Sequence, residues 1–130
     1  MEENEYILYG YNLNDILVIN EQTFIVANPQ YILPLESETK SIVFCSPIIK
    51  PVFGNQELIE LTNLPSSVHY KSSYYSLGLL VVFCLLNNYF LVGNELKTTE
   101  EIENILNPLF NTKIYWFIKR CIVPDINKRI

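Results

Sequence analysis

Histidine and cysteine, the side chains that most often hold metals or attack substrates, are scarce in this chain of 130 residues. It contains one histidine, His69, and three cysteines, Cys45, Cys84 and Cys121. The cysteines are odd in number and widely spaced, and each lies in an apolar run, so their pattern matches no metal site. We therefore expect three buried thiols that behave as small apolar side chains.

Positive charge is also in short supply, with 9 lysines and arginines against 14 aspartates and glutamates, a net charge of -5. Nucleic acid and anionic membrane surfaces require positive potential, so neither is an expected partner. Residues 107–130 are the exception, because beside Asp125 they hold most of the bases: Lys113, Lys119, Arg120, Lys128 and Arg129. Such a segment can meet phosphate or complement the acidic remainder of the chain, and we adopt the second interpretation.

A long hydrophobic run is missing as well. No charge lies between Lys71 and Glu95, but the uninterrupted apolar run covers only residues 77–86, whereas a membrane-spanning helix needs about 20 residues. The acidic start, Met1 to Glu5, is unlike a secretory signal, and no asparagine begins an Asn-x-Ser/Thr sequon. We expect an intracellular protein of the cytoplasm, without membrane insertion.

Apolar residues, in contrast, are plentiful: 49% of the chain is hydrophobic and 13% is aromatic. A chain of this length buries roughly two thirds of its unfolded surface, which offsets the entropy of ordering. We predict one domain over residues 1–130. Abundant isoleucine and asparagine beside a single alanine, Ala27, are typical of an AT-rich genome, such as that of a large DNA virus or a parasite.

The first half of the chain predicts strands and loops. Residues 16–19 and 24–27 are β-rich runs around a polar break, which is the pattern of a β-hairpin. Residues 41–45 form an apolar interruption in a loop-rich middle that is marked by Pro34, Pro47 and Pro51. Residues 57–64 are a predicted short helix.

The second half predicts three helices, of which the first must be central. Ser72 or Ser73 is a suitable N-cap, and the helix runs to about Leu86 with apolar residues on every face. A helix without a polar face has to be surrounded by protein. The predicted fold class is therefore α+β and mainly helical, with an N-terminal β-hairpin and a central buried helix.

Two shorter helices follow. Thr98 and Glu101 have the spacing of a capping box, and the helix they open ends before Pro108 with inward side chains at Ile102, Ile105 and Leu106. The last helix begins near Thr112, stops at Pro124 and carries the apolar residues Ile114, Tyr115, Phe117, Ile118, Cys121 and Ile122.

Several segments resemble parts of the protein kinase C-lobe, in the correct order. Residues 73–86, Ser-Tyr-Tyr-Ser-Leu-Gly and an apolar run, are similar to the buried kinase helix written D-x-[WY]-S-L-G. Residues 116–129 resemble the kinase segment in which a helix is followed by x-x-D-P-x-x-R. Residues 44–48 resemble the A-P-E segment, and the hairpin from Leu13 resembles the strand pair after the catalytic loop. The resemblance covers residues 9–130 and implies a C-lobe without an N-lobe.

The groups that phosphoryl transfer needs are missing from the matched positions. No G-x-G-x-x-G motif occurs, and Gly10, which cannot accept a proton, takes the position of the catalytic aspartate. Asp15 and Asn28 fall on the two metal-binding positions with their identities exchanged, and we interpret both as turn residues rather than weak Mg²⁺ ligands. We therefore expect no catalytic residue, no cofactor and no metal site.

Two structural contacts of kinases are also lost. Ile48 stands where the A-P-E glutamate would pair with the arginine matched by Arg129, so Arg129 must find another partner or solvent. Ser73 replaces the aspartate that holds the catalytic loop. A domain released from catalysis would show such losses.

The resemblance and the missing chemistry together predict a catalytically inactive, pseudokinase-like interaction module whose partner is another protein or a second copy of itself. The candidate contacts are aromatic stretches at residues 31–35, 70–75 and 89–90, unless these pack the core. The alternatives are a nucleotide- or metal-binding half-kinase completed by another chain, a structural subunit of a larger assembly, and an α+β domain unrelated to kinases.

Overall fold

Short strands dominate the first half of the chain and helices the second, in a computed structural model that describes residues 5–47, 50–92 and 95–130. The strands are β1 Tyr6–Leu8, β2 Ile16–Ile19, β3 Thr23–Val26, β4 Ile32–Pro34, β5 Ser41–Phe44, β6 Ser66–His69, β7 Leu91–Val92 and β8 Glu95–Leu96. The helices are α1 Gln56–Ile59, α2 Ser72–Leu86, α3 Thr99–Leu106 and α4 Lys113–Cys121. About 40% of the chain is helical, which confirms the α+β class.

The sheets of the described ranges are antiparallel pairs: β1 with β4, β2 with β3, β5 with β6, and β7 with β8. The β2–β3 pair is the predicted hairpin, with Ile16 opposite Val26. Its turn contains Asn20 and Glu21 with φ angles of 53° and 60°. Positive φ at successive turn residues matches the twist of the two strands. Two-stranded sheets are marginal on their own, so packing against other elements must stabilise them.

The middle of the chain contains a strand, β6, that the sequence does not signal. It pairs with β5 and places the buried Val68 opposite the buried Ile42. The helix predicted over residues 57–64 is wrong in length, because α1 is one turn and the chain then leads back towards β6. The Asn55 side chain caps this turn by accepting from the backbone N–H of Leu58 at 3.0 Å.

Helix α2 confirms the predicted central helix in its position and in its end, where Asn87 has a left-handed φ of 49°. The predicted N-cap at Ser72 or Ser73 was wrong, because both serines lie inside the first turn and Lys71 takes the N-cap position without a side-chain capping bond. Its first half is buried on most sides, and Val82 is also fully buried. Near the C-terminal end Cys84 and Leu85 are exposed, so burial on every side was wrong for this last turn. No helix within the described ranges has both the length and the apolar character needed to cross a membrane.

Helices α3 and α4 begin and end where the sequence predicts. The capping box forms, since the Thr98 side chain accepts from Glu101 N–H and the Glu101 carboxylate accepts from Thr98 N–H at 2.8 Å. Leu106 is buried, and the other inward side chains of α3 pack against the same cluster. Thr112 caps α4 by accepting from Tyr115 N–H at 3.2 Å.

The core consists of two hydrophobic clusters. The first lies among β1, β4, β5, β6 and α1 and contains Ile7, Leu8, Tyr9, Tyr31, Ile42, Phe44, Leu58 and Val68. The second is built mainly on α2, α3 and α4 and contains Phe53, Tyr75, Leu79, Val82, Phe90, Leu106, Tyr115 and Ile118. Tyr11 packs against both clusters, so it links the strand-rich half to the helical half.

The cysteines do not all behave as predicted. Cys121 is buried between α4 and α2, but Cys45 and Cys84 are exposed. Cys45 follows the buried Phe44 at the end of β5, and side chains of successive residues in extended chain point to opposite sides. Cys84 lies on the uncovered side of the α2 C-terminus. The prediction of a buried thiol was therefore wrong for Cys45 and Cys84 and is confirmed for Cys121.

Candidate functional site

The aromatic stretches predicted as contacts are mostly part of the core. Tyr31, Tyr75 and Phe90 are almost fully buried, and Tyr70 packs against the first cluster. Tyr89 is exposed on one side, but its ring stacks on that of Phe53 with centroids 5.9 Å apart. The alternative, that these aromatics pack the core, is the one the structure favours.

The most exposed large apolar side chain of the described residues, Phe24, lies instead on the β2–β3 hairpin. We define the hairpin surface as Leu17, Val18, Ile19, Phe24 and Ile25, all of which are exposed. Phe24 is 71% exposed and Val18, its cross-strand partner, is 57% exposed. Leu17 and Ile25 form the next pair and point to the opposite face of the ribbon. Both faces of this hairpin therefore present apolar side chains to solvent.

The sequence carried a signal for this surface that the prediction did not use. A strand with one face in water alternates apolar and polar residues, whereas Ile16–Ile19 and Phe24 to Val26 are apolar throughout. Uninterrupted apolar runs are typical of strands that are buried on both faces. Within the described part of the chain the hairpin lacks such cover.

A second exposed apolar surface lies on α4. We define the α4 surface as Ile114, Trp116 and Phe117 on the helix, together with Phe110 just before it. Phe110 is 64% exposed and Trp116 is 53% exposed, while the opposite side of the helix, with Tyr115 and Ile118, is buried in the second cluster. The prediction treated Ile114 and Phe117 only as apolar helix residues, and the structure places them on the solvent side.

A cavity of about 400 Å³ opens at the base of the hairpin and is lined by Asn12, Leu13, Asn14, Asp15, Gln30, Val52, Phe53 and Tyr89. The Oδ2 atom of Asp15 is buried there, and no described group donates a hydrogen bond to it. Asn28 does not join Asp15 as a ligand pair, because its Oδ1 accepts from Gln30 N–H at 3.2 Å and caps a turn. Among the described residues no three histidine, cysteine or acidic side chains cluster in a way that would hold a metal.

The position matched to the catalytic aspartate is closed by packing. A side chain at Gly10 would place its Cβ 2.7 Å from the Cβ of Pro51 and would overlap the Pro51 ring further out. A proline ring cannot rotate aside. The segment before Gly10 is nevertheless held firmly, since the Tyr9 carbonyl accepts from Ser76 Oγ and Asn55 Nδ2, both at 3.2 Å.

The tie from α2 to that segment is thus made by Ser76, and not by Ser73. The Ser73 hydroxyl donates to the carbonyl of Tyr70 at 2.9 Å, at the start of its own helix.

Arg129 is buried and has an acidic partner after all. Its Nη2 lies 2.7 Å from Oε1 of Glu57, its Nε donates to the Val123 carbonyl at 2.8 Å, and its guanidinium lies 5.0 Å from the centre of the Tyr75 ring. Ile48, which the resemblance sets against this arginine, lies outside the described residues. The expectation that Arg129 finds another partner is confirmed, because Glu57 supplies a carboxylate.

Burial shifts the pKa values of several groups in the core. Burial raises the pKa of the Cys121 thiol to about 11 and the pKa of the Tyr75 hydroxyl to about 12. Both groups therefore stay protonated near neutral pH and are poor nucleophiles. Burial lowers the pKa of His69, with Lys71 and Lys40 adding to the shift.

Comparison of the chain with models of known protein families finds no match, and comparison with curated proteins finds none either. What the chain can do must therefore be argued from its own residues.

Proposed function

We propose that this protein is a catalytically inactive, kinase C-lobe-like interaction module that binds a protein through the hairpin surface. The observation that carries the proposal is the exposure of apolar side chains on both faces of the β2–β3 hairpin. Contiguous exposed apolar surface of this kind marks interaction sites, and a lone two-stranded ribbon is marginally stable in water. A partner that covers it removes that surface from water and stabilises the ribbon.

The ion pair of Arg129 supports the kinase-like part of the proposal. In the resemblance, this arginine pairs with the glutamate of the A-P-E segment. Here its partner is Glu57, so we place the equivalent of that segment at Asn55 to Glu57 rather than at residues 44–48. The hydrogen bonds from Ser76 and Asn55 to the Tyr9 carbonyl also support it, because they tie the central helix to the segment before Gly10.

The closed position at Gly10 supports the absence of phosphoryl transfer. A base at this position would have to reach a substrate hydroxyl, and the Pro51 ring occupies the space where its side chain would begin. The loss of the catalytic position therefore involves the packing around Gly10 as well as the substitution itself.

Val18→Thr/Phe24→Thr tests the proposal, because threonine keeps the β propensity and removes apolar surface. The matched control is Val43→Thr, at an exposed valine on β5. Complexes isolated from the source cells should contain a partner that the wild type and the control retain and the double variant loses. With that partner purified, the double variant should raise Kd by about tenfold or more. Equal retention by all three proteins, or phosphorylation of a substrate by the purified chain alone, would contradict the proposal.

One observation favours the second candidate, a half-kinase that binds nucleotide when another chain completes it. The unpaired Asp15 carboxylate faces a cavity large enough for a small ligand. A ligand that binds the native state raises its apparent stability. ATP with Mg²⁺ should leave the Tm of the isolated chain unchanged if it is an interaction module only, whereas a rise that Asp15→Asn abolishes would favour the second candidate.

A further inference from the structure

We infer that the occupant of the hairpin surface is a second copy of this chain, which docks its α4 surface there. The inference rests on the proposed function, since it names the partner of the same hairpin.

The two surfaces carry uncompensated charges of opposite sign. Glu21 lies exposed in the hairpin turn and forms no ion pair within the described ranges. Lys113 and Arg120 lie on α4 and are likewise unpaired among the described residues. Opposite charges beside apolar patches steer the two surfaces together and set their register.

The dimensions of the two surfaces also agree. Lys113, Trp116, Phe117 and Arg120 have the i, i+3, i+4, i+7 spacing of one helix face, with the aromatics between the two bases. The nine residues of α4 extend about 14 Å along the helix. The four residues of β2 extend about 13 Å. The helix can therefore lie along the ribbon over the full length of β2.

Pairing of unlike surfaces is favoured over pairing of like ones. Two hairpins packed on each other would bring no base to the Glu21 carboxylates, and two α4 helices would bring no acid to Lys113 and Arg120. Tryptophan and arginine are the residues that most often dominate binding energy, and α4 supplies both at its exposed face. The contact thus joins the hairpin of one copy to α4 of the next.

Light scattering of the full chain after size exclusion tests this inference. The wild type should associate at about 100 μM and dissociate as salt is raised. Val18→Thr/Phe24→Thr removes the apolar side chains from one face of the hairpin, and Trp116→Gln/Arg120→Gln removes the indole of the α4 surface and the base beside it, so each double variant alone should be monomeric. An equimolar mixture of the two should associate again, because each variant retains the surface that the other lacks.

Val43→Thr and Lys128→Gln are controls at exposed positions outside both surfaces and should associate like the wild type. If either double variant fails to fold, as judged by loss of its circular dichroism signal, Glu21→Lys and Arg120→Glu are used in place of the two double variants. Each charge reversal alone should weaken association, and an equimolar mixture of the two should restore association.

A folded wild type that stays monomeric, a mixture that stays monomeric, or α4 variants that associate normally would each overturn the inference. Isolation of a different protein that depends on the hairpin, together with a monomeric wild type, would overturn this inference and leave the proposed function standing. If the hairpin variant behaves like the wild type in both the complex isolation and the light scattering, the inference and the proposed function are both overturned.

Discussion

At the scale of single residues, the three cysteines differ in their surroundings more than in their sequence neighbours. Each follows or precedes apolar residues, so the sequence predicted the same environment for all three. The strand alternation at Cys45 and the uncovered end of α2 at Cys84 could not be read from composition, because they depend on which neighbouring elements are present. Only Cys121, at the α2–α4 contact, is buried.

Thiol labelling should distinguish the three cysteines. We expect a water-soluble disulfide reagent to modify Cys45 and Cys84 in the native protein and to reach Cys121 only on unfolding, because Cys121 is buried and its pKa is raised to about 11. Cys84→Ser should lower the native count by one. Native labelling of all three thiols at comparable rates would contradict the structure.

His69 should make stability depend on pH in a window separate from that of the carboxylates. Burial lowers its pKa below the ordinary 6.5, so the unfolded state binds more protons and stability is lost as pH falls below about 6.5. Glu103 has a lowered pKa because Lys119 donates a hydrogen bond to it, and stability from that contact is lost only below about 4.5.

Urea unfolding of the wild type and His69→Gln at pH 7.5 and 5.5 measures this effect. The wild type should lose stability between the two values and His69→Gln should lose less. An equal loss in both proteins would show that another group is responsible.

At the scale of elements, the sequence was sufficient for segments whose signals are local. The hairpin, α2 and the capped helices α3 and α4 depend on apolar periodicity, N-caps and the Thr98–Glu101 pair, all of which lie within a few residues. Strand β6 was missed because Ser66–His69 contains one buried apolar residue, Val68, and is specified by its partner β5. The short α1 was overestimated for the same reason, since distant pairing sets where the chain turns.

The Glu57–Arg129 pair should couple α1 to the C-terminal segment. Arg129→Met leaves a carboxylate without its partner, and we expect a loss of about 3 kcal/mol in the free energy of unfolding, at the low end for buried pairs because the Glu57 side chain is partly exposed. Glu57→Gln/Arg129→Met should recover part of this loss. Lys128→Met, which breaks an exposed pair of 3.5 Å with Asp125, should cost less than about 1 kcal/mol. Additive single-variant effects would contradict the coupling.

Gly78 should be required for the close contact of α2 with α4. A Cβ at this position would lie 2.8 Å from the Cβ of Cys121 and 3.2 Å from Cγ2 of Ile122. Overpacking costs about 1–3 kcal/mol, which exceeds the gain of about 0.5–1 kcal/mol that alanine gives inside a helix. Gly78→Ala should therefore lower the free energy of unfolding, whereas Gly54→Ala, whose nearest contact would be 3.5 Å, should not. Equal stability of both variants would contradict this packing.

At the scale of the whole molecule, the exposed surfaces were the part that sequence reasoning could least supply. The residues of the hairpin and α4 surfaces are apolar and so resemble core residues, while Tyr31, Tyr75 and Phe90 look like interface aromatics and are buried. Exposure depends on what else covers an element, and an element that a partner covers has the sequence of a core. For that reason the exposure of an apolar residue in the structure is more informative about binding than its sequence context.

The two clusters of the core are joined by the buried polar side chains of Asn55 and Ser76. Asn55 is fully buried, donates to the Tyr9 carbonyl of the first cluster and to the Ser76 hydroxyl on α2, and accepts from Leu58 N–H. When a hydrogen-bond partner is removed, the buried polar group that remains costs its full desolvation free energy. Asn55→Ala should therefore cost roughly 2–4 kcal/mol, as the loss of a helix cap together with unmade buried hydrogen bonds.

Asn55→Ser separates these two roles, because serine keeps the capping acceptor but is too short to reach Tyr9. It should recover about 1 kcal/mol of the loss, the worth of the cap. Hydrogen exchange locates the rest: β1 and α2 amides should exchange at similar free energies in the wild type, and the β1 amides should fall below those of α2 in both variants. If β1 and α2 lose protection equally in Asn55→Ser, the cooperativity of the two clusters comes instead from the side chain that packs against both, Tyr11.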